Sequence, residues 1–69
     1  MKVLLADAIH PSTVEILTER GHDCVLEPKL SSDDLPERMP GFQALVVRST
    51  KVTAAAVEAG NALELIVRA

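Results

Sequence analysis

The sequence predicts an α/β fold built on a parallel sheet, and three observations support this prediction. Four short apolar runs recur along the chain, and they are continuous, as is typical of strands covered on both faces. Segments with helix-capping residues and apolar stripes separate them. Polar residues or prolines follow the runs where strands would end. Strands that alternate with helices in this way form a parallel sheet with right-handed crossovers.

The first half of the chain predicts two strands joined by a capped helix. Residues 2–6 form the first strand, and the shorter run at 23–27 forms the second. Between them a helix begins at Pro11, a residue suited to the first helical position, with His10 as its cap. Gly21 ends this helix.

A short second helix and the strongest strand follow. Residues 31–34 have the composition of a helix start, but Pro36 and Pro40 confine any helix there to a turn or two. Residues 42–47 then give the clearest strand pattern in the chain.

The last quarter adds a third helix and a fourth strand. Thr53 can cap a helix through the alanine-rich segment 54–59, with Gly60 and Asn61 as its stop. Residues 63–67 form the final strand. A doubly wound sheet of this kind has strand order 2-1-3-4, as in flavodoxin-like folds, with helices on both faces. Such a fold usually closes with at least one more strand and helix, so we expect an incomplete domain.

Composition and charge exclude several classes of function. The chain has 69 residues, a formal net charge of -3 and one aromatic residue, Phe42. It lacks the basic face and the stacking aromatics that nucleic-acid binding requires. A core of this size supplies roughly 3–5 kcal/mol of net stability, which makes a self-sufficient enzyme unexpected.

The same features predict a cytoplasmic protein without a membrane segment. The apolar stretch at 3–6 is shorter than the ~7–15 residues of an export signal, and no segment approaches the ~20 apolar residues of a membrane span. The single cysteine, Cys24, rules out an internal disulfide and fits a small core residue.

Candidate binding residues lie where the third and fourth strands end. Arg48, Ser49 and Thr50 directly follow the third strand, and Arg68 follows the fourth. Guanidinium groups and free backbone N–H groups at the ends of neighbouring strands could together hold a carboxylate or a phosphate. The alternative is that both arginines are ordinary solvated charges.

Other polar residues favour structural roles. Asp7 after the first strand fits a loop residue that bonds backbone amides, and it lacks the acidic neighbour of a phosphate-accepting receiver site. His10 and His22 fit a helix cap and a turn, without a nucleophile or a metal-binding partner at suitable spacing. The chain has three glycines and no GxGxxG motif, so it encodes no dinucleotide site.

The stretches VLLADAIHP, ALVVRSTKVT and LELIVRA together resemble the amino-terminal part of the D-2-hydroxyacid dehydrogenases, in particular the D-3-phosphoglycerate dehydrogenases. The resemblance covers essentially the whole chain, and VRSTKVT with IVRA is its most specific part. Val67 stands where the family usually has a glycine.

The resemblance implies that residues 1–69 begin a flavodoxin-like substrate-binding domain, which in the family accompanies a separate NAD-binding domain. Arg48, Ser49 and Arg68 match family positions near the anionic substrate, a small 2-hydroxy acid. The family's catalytic residues and NAD fingerprint lie beyond Ala69. The parent is then an NAD-dependent dehydrogenase of serine biosynthesis, whereas the 69-residue chain alone is expected to be inactive.

Two alternatives remain open at this point. The chain could be an inactive half-fold that associates with another copy through its open sheet edge. It could also be a small stand-alone binding module. We expect a homo-oligomer if the chain is a self-associating half-fold, and also if it is part of the parent enzyme.

Overall fold

The computed structural model describes residues 1–68, in which four parallel strands alternate with three helices. The strands are β1 (Lys2–Leu5), β2 (Asp23–Leu26), β3 (Ala44–Val47) and β4 (Leu65–Arg68), and the helices are α1 (Pro11–Glu19), α2 (Leu35–Arg38) and α3 (Ala54–Ala59). The strand order is β2-β1-β3-β4, with every neighbouring pair parallel. The predicted α/β class and the flavodoxin-like order 2-1-3-4 are confirmed. Ala69, the last residue of the predicted domain, lies outside the described residues.

The observed strands are shorter or shifted relative to the sequence prediction. The Phe42 N–H donates to the Met39 carbonyl at 3.1 Å, and the Leu63 N–H donates to the Gly60 carbonyl at 3.1 Å, so both residues belong to turns. The sequence analysis placed Arg68 after the fourth strand. In the structure Arg68 is instead the last residue of β4 and lies opposite Val47. An apolar residue in a buried turn looks the same in sequence as one in a strand, which explains these differences.

The starts of α1 and α3 follow the predicted capping chemistry. His10 Nδ1 accepts the Ser12 N–H at 3.1 Å, and Pro11 is the first residue of α1. Thr53 Oγ1 accepts the Ala56 N–H at 3.3 Å at the start of α3. The predicted short second helix is the single turn α2. These local bonds satisfy N–H groups that the first turn of a helix leaves without partners.

Apolar residues are buried on both faces of the sheet. Strand residues alternate between the two faces, because successive side chains of a strand point in opposite directions. The α1 face buries Val3, Leu5, Ala44 and Val46 beneath Ile9, Val14, Leu17 and Cys24. The opposite face, covered by α2 and α3, buries Leu4, Ala6, Leu35, Met39, Phe42, Leu45, Val47 and Ala56. Helices therefore pack on both faces, as predicted.

Candidate functional site

The carboxyl ends of β1 and β3 are joined through one carboxylate. Asp7 Oδ2 accepts the backbone N–H groups of Arg48 at 2.6 Å, Ser49 at 3.1 Å and Thr50 at 3.0 Å. Asp7 Oδ1 accepts the Thr50 hydroxyl at 2.7 Å. The interpretation of Asp7 as a loop residue that bonds backbone amides is confirmed. The loop after β3 is thereby folded around Asp7.

These hydrogen bonds stabilise the ionised form of Asp7. Partial burial raises the pKa of this carboxyl, but the Arg48 N–H, the Thr50 hydroxyl and the N–H groups of Thr50 and Ser49 together outweigh burial. The net effect lowers the pKa of Asp7 from 3.8 to about 2. Asp7 is therefore a fixed negative charge at neutral pH.

This arrangement corrects one part of the sequence prediction. The backbone N–H groups of Arg48 and Ser49 were expected to be free for an anionic ligand, and Asp7 uses both. Asp7 is far from them in sequence, and the two segments meet because β1 and β3 are neighbours in the sheet. Any anion held here must be held by side chains.

The two predicted arginines lie at one edge of the sheet. β3 and β4 are neighbours, and Arg68 Nη1 lies 3.4 Å from the Arg48 carbonyl oxygen, to which it donates. Both arginine residues and Ser49 are exposed. Within residues 1–68 neither arginine forms an ion pair, and the ion pair present there joins Arg38 to Glu27. The carboxyl ends of β3 and β4 therefore carry two arginine side chains that form no salt bridge with a carboxylate of residues 1–68.

Arg48 also borders a small cavity at the carboxyl end of β1. The cavity has a volume of about 260 Å³ and is lined by Ala8, Ile9, His10, Thr13 and Arg48. Ligands of open parallel sheets bind at this end of the strands. Ser49 and Arg68 do not line it. The structure therefore brings Arg48 to the cavity and does not bring Ser49 or Arg68 to its lining.

Sequence reasoning missed Ala8, Ile9 and Thr13 as lining residues. The signal that could have found them is the rule that loops after adjacent parallel strands converge at one edge. The segment after β1 and the segment after β3 satisfy that rule, since β1 and β3 pair directly.

The described residues offer no other obvious chemical site. Among residues 1–68 there is no group of three or more histidine, cysteine or acidic side chains arranged to hold a metal ion. No helix in the same part of the chain is both long enough and apolar enough to cross a membrane. Cys24 is partly buried against the α1-face cluster, as predicted for a small core residue.

A comparison with protein-family models matches residues 3–69 to the D-isomer specific 2-hydroxyacid dehydrogenase, catalytic domain. The chain belongs to this dehydrogenase family. The resemblance drawn from its sequence motifs is therefore confirmed.

Curated members of this dehydrogenase family give the same assignment. The chain is 34% identical over 70 residues to a D-3-phosphoglycerate dehydrogenase of Archaeoglobus fulgidus. It is 36% identical over 69 residues to the D-3-phosphoglycerate dehydrogenases of Sus scrofa and Homo sapiens. The matches cover 99–100% of this chain and 13% of each relative. The chain thus spans about an eighth of the length of these dehydrogenases.

Proposed function

We propose that this chain forms the amino-terminal part of the substrate-binding domain of an NAD-dependent D-3-phosphoglycerate dehydrogenase, in which Arg48, Ser49 and Arg68 contact the anionic substrate. The observation that carries the proposal is the pair of exposed arginines without acidic partners at the carboxyl edge of the sheet. The parent would oxidise a small 2-hydroxy acid in serine biosynthesis, in the cytoplasm.

The chemistry of the edge suits a phosphate or carboxylate. A guanidinium group presents planar N–H donors that match two oxygens of such an anion at once. The Ser49 hydroxyl adds a neutral donor beside Arg48. Because Asp7 holds the backbone of residues 48–50, the side chains of Arg48 and Ser49 start from a fixed position. Part of the conformational entropy of this loop is therefore lost on folding, which lowers the entropic cost of binding the anion.

This segment lacks the features of an NAD-binding site. A pyrophosphate-binding turn needs closely spaced glycines at a strand–helix junction, and the chain has three glycines with no GxGxxG motif. The residues after β1 are Ala6, Asp7 and Ala8. We therefore assign substrate contacts alone to this segment, and we expect the 69-residue polypeptide to reduce no NAD.

A titration of the isolated chain tests the anion site directly. Arginine and amide NMR signals would be followed while 3-phosphoglycerate, inorganic phosphate or glycerate is added. We expect 3-phosphoglycerate to move the signals of Arg48 and Arg68 and to bind weakly, since part of the pocket is absent. Arg48→Gln should weaken binding about tenfold, because it removes a charge-assisted contact.

Arg20→Gln is the matched control, since it removes an exposed arginine at the end of α1. It should leave the titration unchanged. If Arg20→Gln and Arg48→Gln weaken binding equally, the anion is held by net charge and the assigned site is wrong.

The activity is tested on the full-length protein that is encoded by the complete reading frame containing this chain. We expect that product to reduce NAD with 3-phosphoglycerate, and we expect Arg48→Gln to lower kcat/KM by at least tenfold. Arg20→Gln should leave kcat/KM unchanged. A product that turns over no 2-hydroxy acid would contradict the proposal.

A further inference from the structure

The cavity at the carboxyl end of β1 is built from two segments that are distant in sequence. Residues 8–10 and Thr13 contribute the lining that follows β1, and Arg48 contributes the lining that follows β3. Asp7 and Arg48 are 41 positions apart in the chain. The shape of the cavity therefore depends on what holds these two segments at a fixed separation.

The backbone hydrogen bonds between β1 and β3 end before the cavity begins. The two strands pair as far as Leu5 and Val46, and the Ala6 N–H then donates to the Val46 carbonyl at 3.0 Å. Beyond Ala6, the hydrogen bonds that join the two segments within residues 1–68 all end on the Asp7 carboxylate, which accepts four donors from residues 48–50. At the level of the cavity, this carboxylate is the polar link between the two segments.

Asp7 has little capacity left to bind a ligand itself. A carboxylate offers about four lone-pair sites for hydrogen bonds. Three backbone N–H groups and the Thr50 hydroxyl occupy a matching number of them. The negative charge of Asp7 also repels an anion. Asp7 therefore acts on a bound anion through Arg48 and residues 8–10, and not by contact.

We propose that Asp7 is a positioning residue of the substrate site: its carboxylate fixes the distance between Arg48 and residues 8–10, and thereby the affinity of the site for a small anionic 2-hydroxy acid. This inference rests on the proposed function, because it concerns the same anion site. A displacement of about 1 Å can slow an enzyme roughly 100-fold, so a small change in this distance is sufficient to matter.

The charge of Asp7 and its hydrogen bonds predict opposite effects when the residue is replaced. Asp7→Ala removes a negative charge near the site, and that change alone strengthens the binding of an anion. The same variant releases the four donors of residues 48–50, which allows Arg48 to move away from residues 8–10. A higher KM therefore reports the loss of position, whereas a lower KM reports the loss of charge alone.

Steady-state kinetics of the full-length protein measure the effect. We expect Asp7→Ala to raise the KM for 3-phosphoglycerate about tenfold and to change kcat less than about threefold, since the anion is held in both the ground state and the transition state. Asp34→Ala is the matched control. Asp34 Oδ2 accepts the Ser31 hydroxyl at 2.9 Å, and Asp34 does not line the cavity. This variant should leave KM and kcat unchanged.

Formate gives a readout that a loss of stability elsewhere would not change. It supplies the carboxylate that Asp7→Ala lacks, and it is small enough to bind the N–H groups of residues 48–50. We expect formate to lower the KM of Asp7→Ala about threefold or more, relative to chloride at the same ionic strength. In the wild type and in Asp34→Ala the Asp7 carboxylate already occupies those donors, so formate should not lower KM.

Crystal structures of the full-length wild type and of Asp7→Ala test the same inference without substrate. Arg48 should lie about 1 Å or more farther from residues 8–10 in the variant, and soaked formate should bind residues 48–50 and restore the distance. An unchanged distance overturns the proposal, and so does a KM that is unchanged or lower.

Arg48→Gln separates this inference from the proposed function. If Arg48→Gln leaves kcat/KM unchanged, the assigned anion site is wrong and the positioning role is overturned with it. If Arg48→Gln lowers kcat/KM while Asp7→Ala leaves KM unchanged, the anion site is supported and the positioning role alone is wrong.

Discussion

At the scale of single residues, Asp7 shapes the candidate site. Its carboxylate accepts three backbone N–H groups and one hydroxyl from residues 48–50. Those N–H groups form a ready-made anion site, and the protein fills it with its own carboxylate. The side chains of Arg48 and Ser49 are left to face solvent.

Replacing Asp7 should weaken the fold measurably. In the wild type the two carboxylate oxygens of Asp7 accept four donors. Asp7→Asn removes the negative charge, which weakens all four hydrogen bonds, and it replaces one accepting oxygen with an NH₂ group that faces a donor. We expect the free energy of unfolding to fall by about 1–2 kcal/mol, at the low end for charged hydrogen bonds because Asp7 is partly exposed. Urea unfolding measures this. Asp33→Asn, at an exposed acidic residue, is the control and should change stability little.

The lowered pKa of Asp7 also predicts a pH dependence. The pKa is about 2 in the folded protein and 3.8 in an unperturbed chain, so the unfolded state binds the proton more readily. The contribution of Asp7 is fully present above about pH 4 and is lost as pH falls toward about 2. The stability difference between wild type and Asp7→Asn should therefore shrink over that interval. A difference that stays constant down to pH 2 would show that the charge of Asp7 is irrelevant.

Residue identity alone predicted several of these local roles. His10 and Thr53 were predicted as caps because their side chains lie beside helix starts, and both make the expected bonds. The bonds from Asp7 to Arg48 and Ser49 could not be assigned from sequence, since they depend on where the Asp7 side chain and the N–H groups after β3 point. Whether Arg48, Ser49 and Arg68 bind substrate stays a prediction.

At the scale of elements, α3 is the helix that most needs its cap. It has six residues, which is too short to be stable alone, and it contributes one buried side chain, Ala56. Its first turn is closed by the bond from the Ala56 N–H to Thr53 Oγ1. The position of α3 beside α2 therefore depends on a local polar contact as well as on packing.

Thr53→Ala should destabilise the protein by about 1 kcal/mol, the usual effect of removing a hydroxyl cap. Thr53→Ser keeps the accepting oxygen and should retain most of the stability. Thermal unfolding of the three proteins, followed by circular dichroism, measures the difference. If Thr53→Ser is as unstable as Thr53→Ala, the methyl group contributes the stability and the hydroxyl bond does not.

The order and type of the elements were predicted correctly from pattern, whereas their ends were less accurate. Continuous apolar runs identified every strand, and cap residues identified the starts of α1 and α3, whereas α2 begins after Asp34 without a side-chain cap bond. Phe42 and Leu63 were placed in strands, but their N–H groups bond to turn carbonyls. Hydrophobicity reports burial, and burial is shared by strand residues and by apolar residues in turns.

At the scale of the whole molecule, stability depends on a small aliphatic core. Leu45 lies at the centre of the face covered by α2 and α3 and is fully buried. A domain of this size has a net stability of roughly 3–5 kcal/mol. A single cavity in this core is therefore comparable with the whole free energy of unfolding.

Leu45→Ala should leave the chain largely unfolded, because a buried leucine-to-alanine change costs roughly 2–5 kcal/mol. The dispersion of amide NMR signals measures the folded fraction. Ile16→Ala removes an aliphatic side chain with the same number of carbons at a residue that is 51% exposed, and it should leave the spectrum dispersed. Equal loss of dispersion in both variants would contradict the assigned core.

The sequence by itself determined the α/β class, the strand order, the helix caps and the membership of the dehydrogenase family, because these follow from local patterns and short motifs. The tertiary structure decided that Asp7 occupies the N–H groups after β3 and that Arg48 borders a cavity with the segment after β1. Both depend on where side chains and backbone N–H groups point at the ends of β1 and β3. Local sequence patterns do not encode these directions, because contacts between residues distant in sequence form only in the folded sheet.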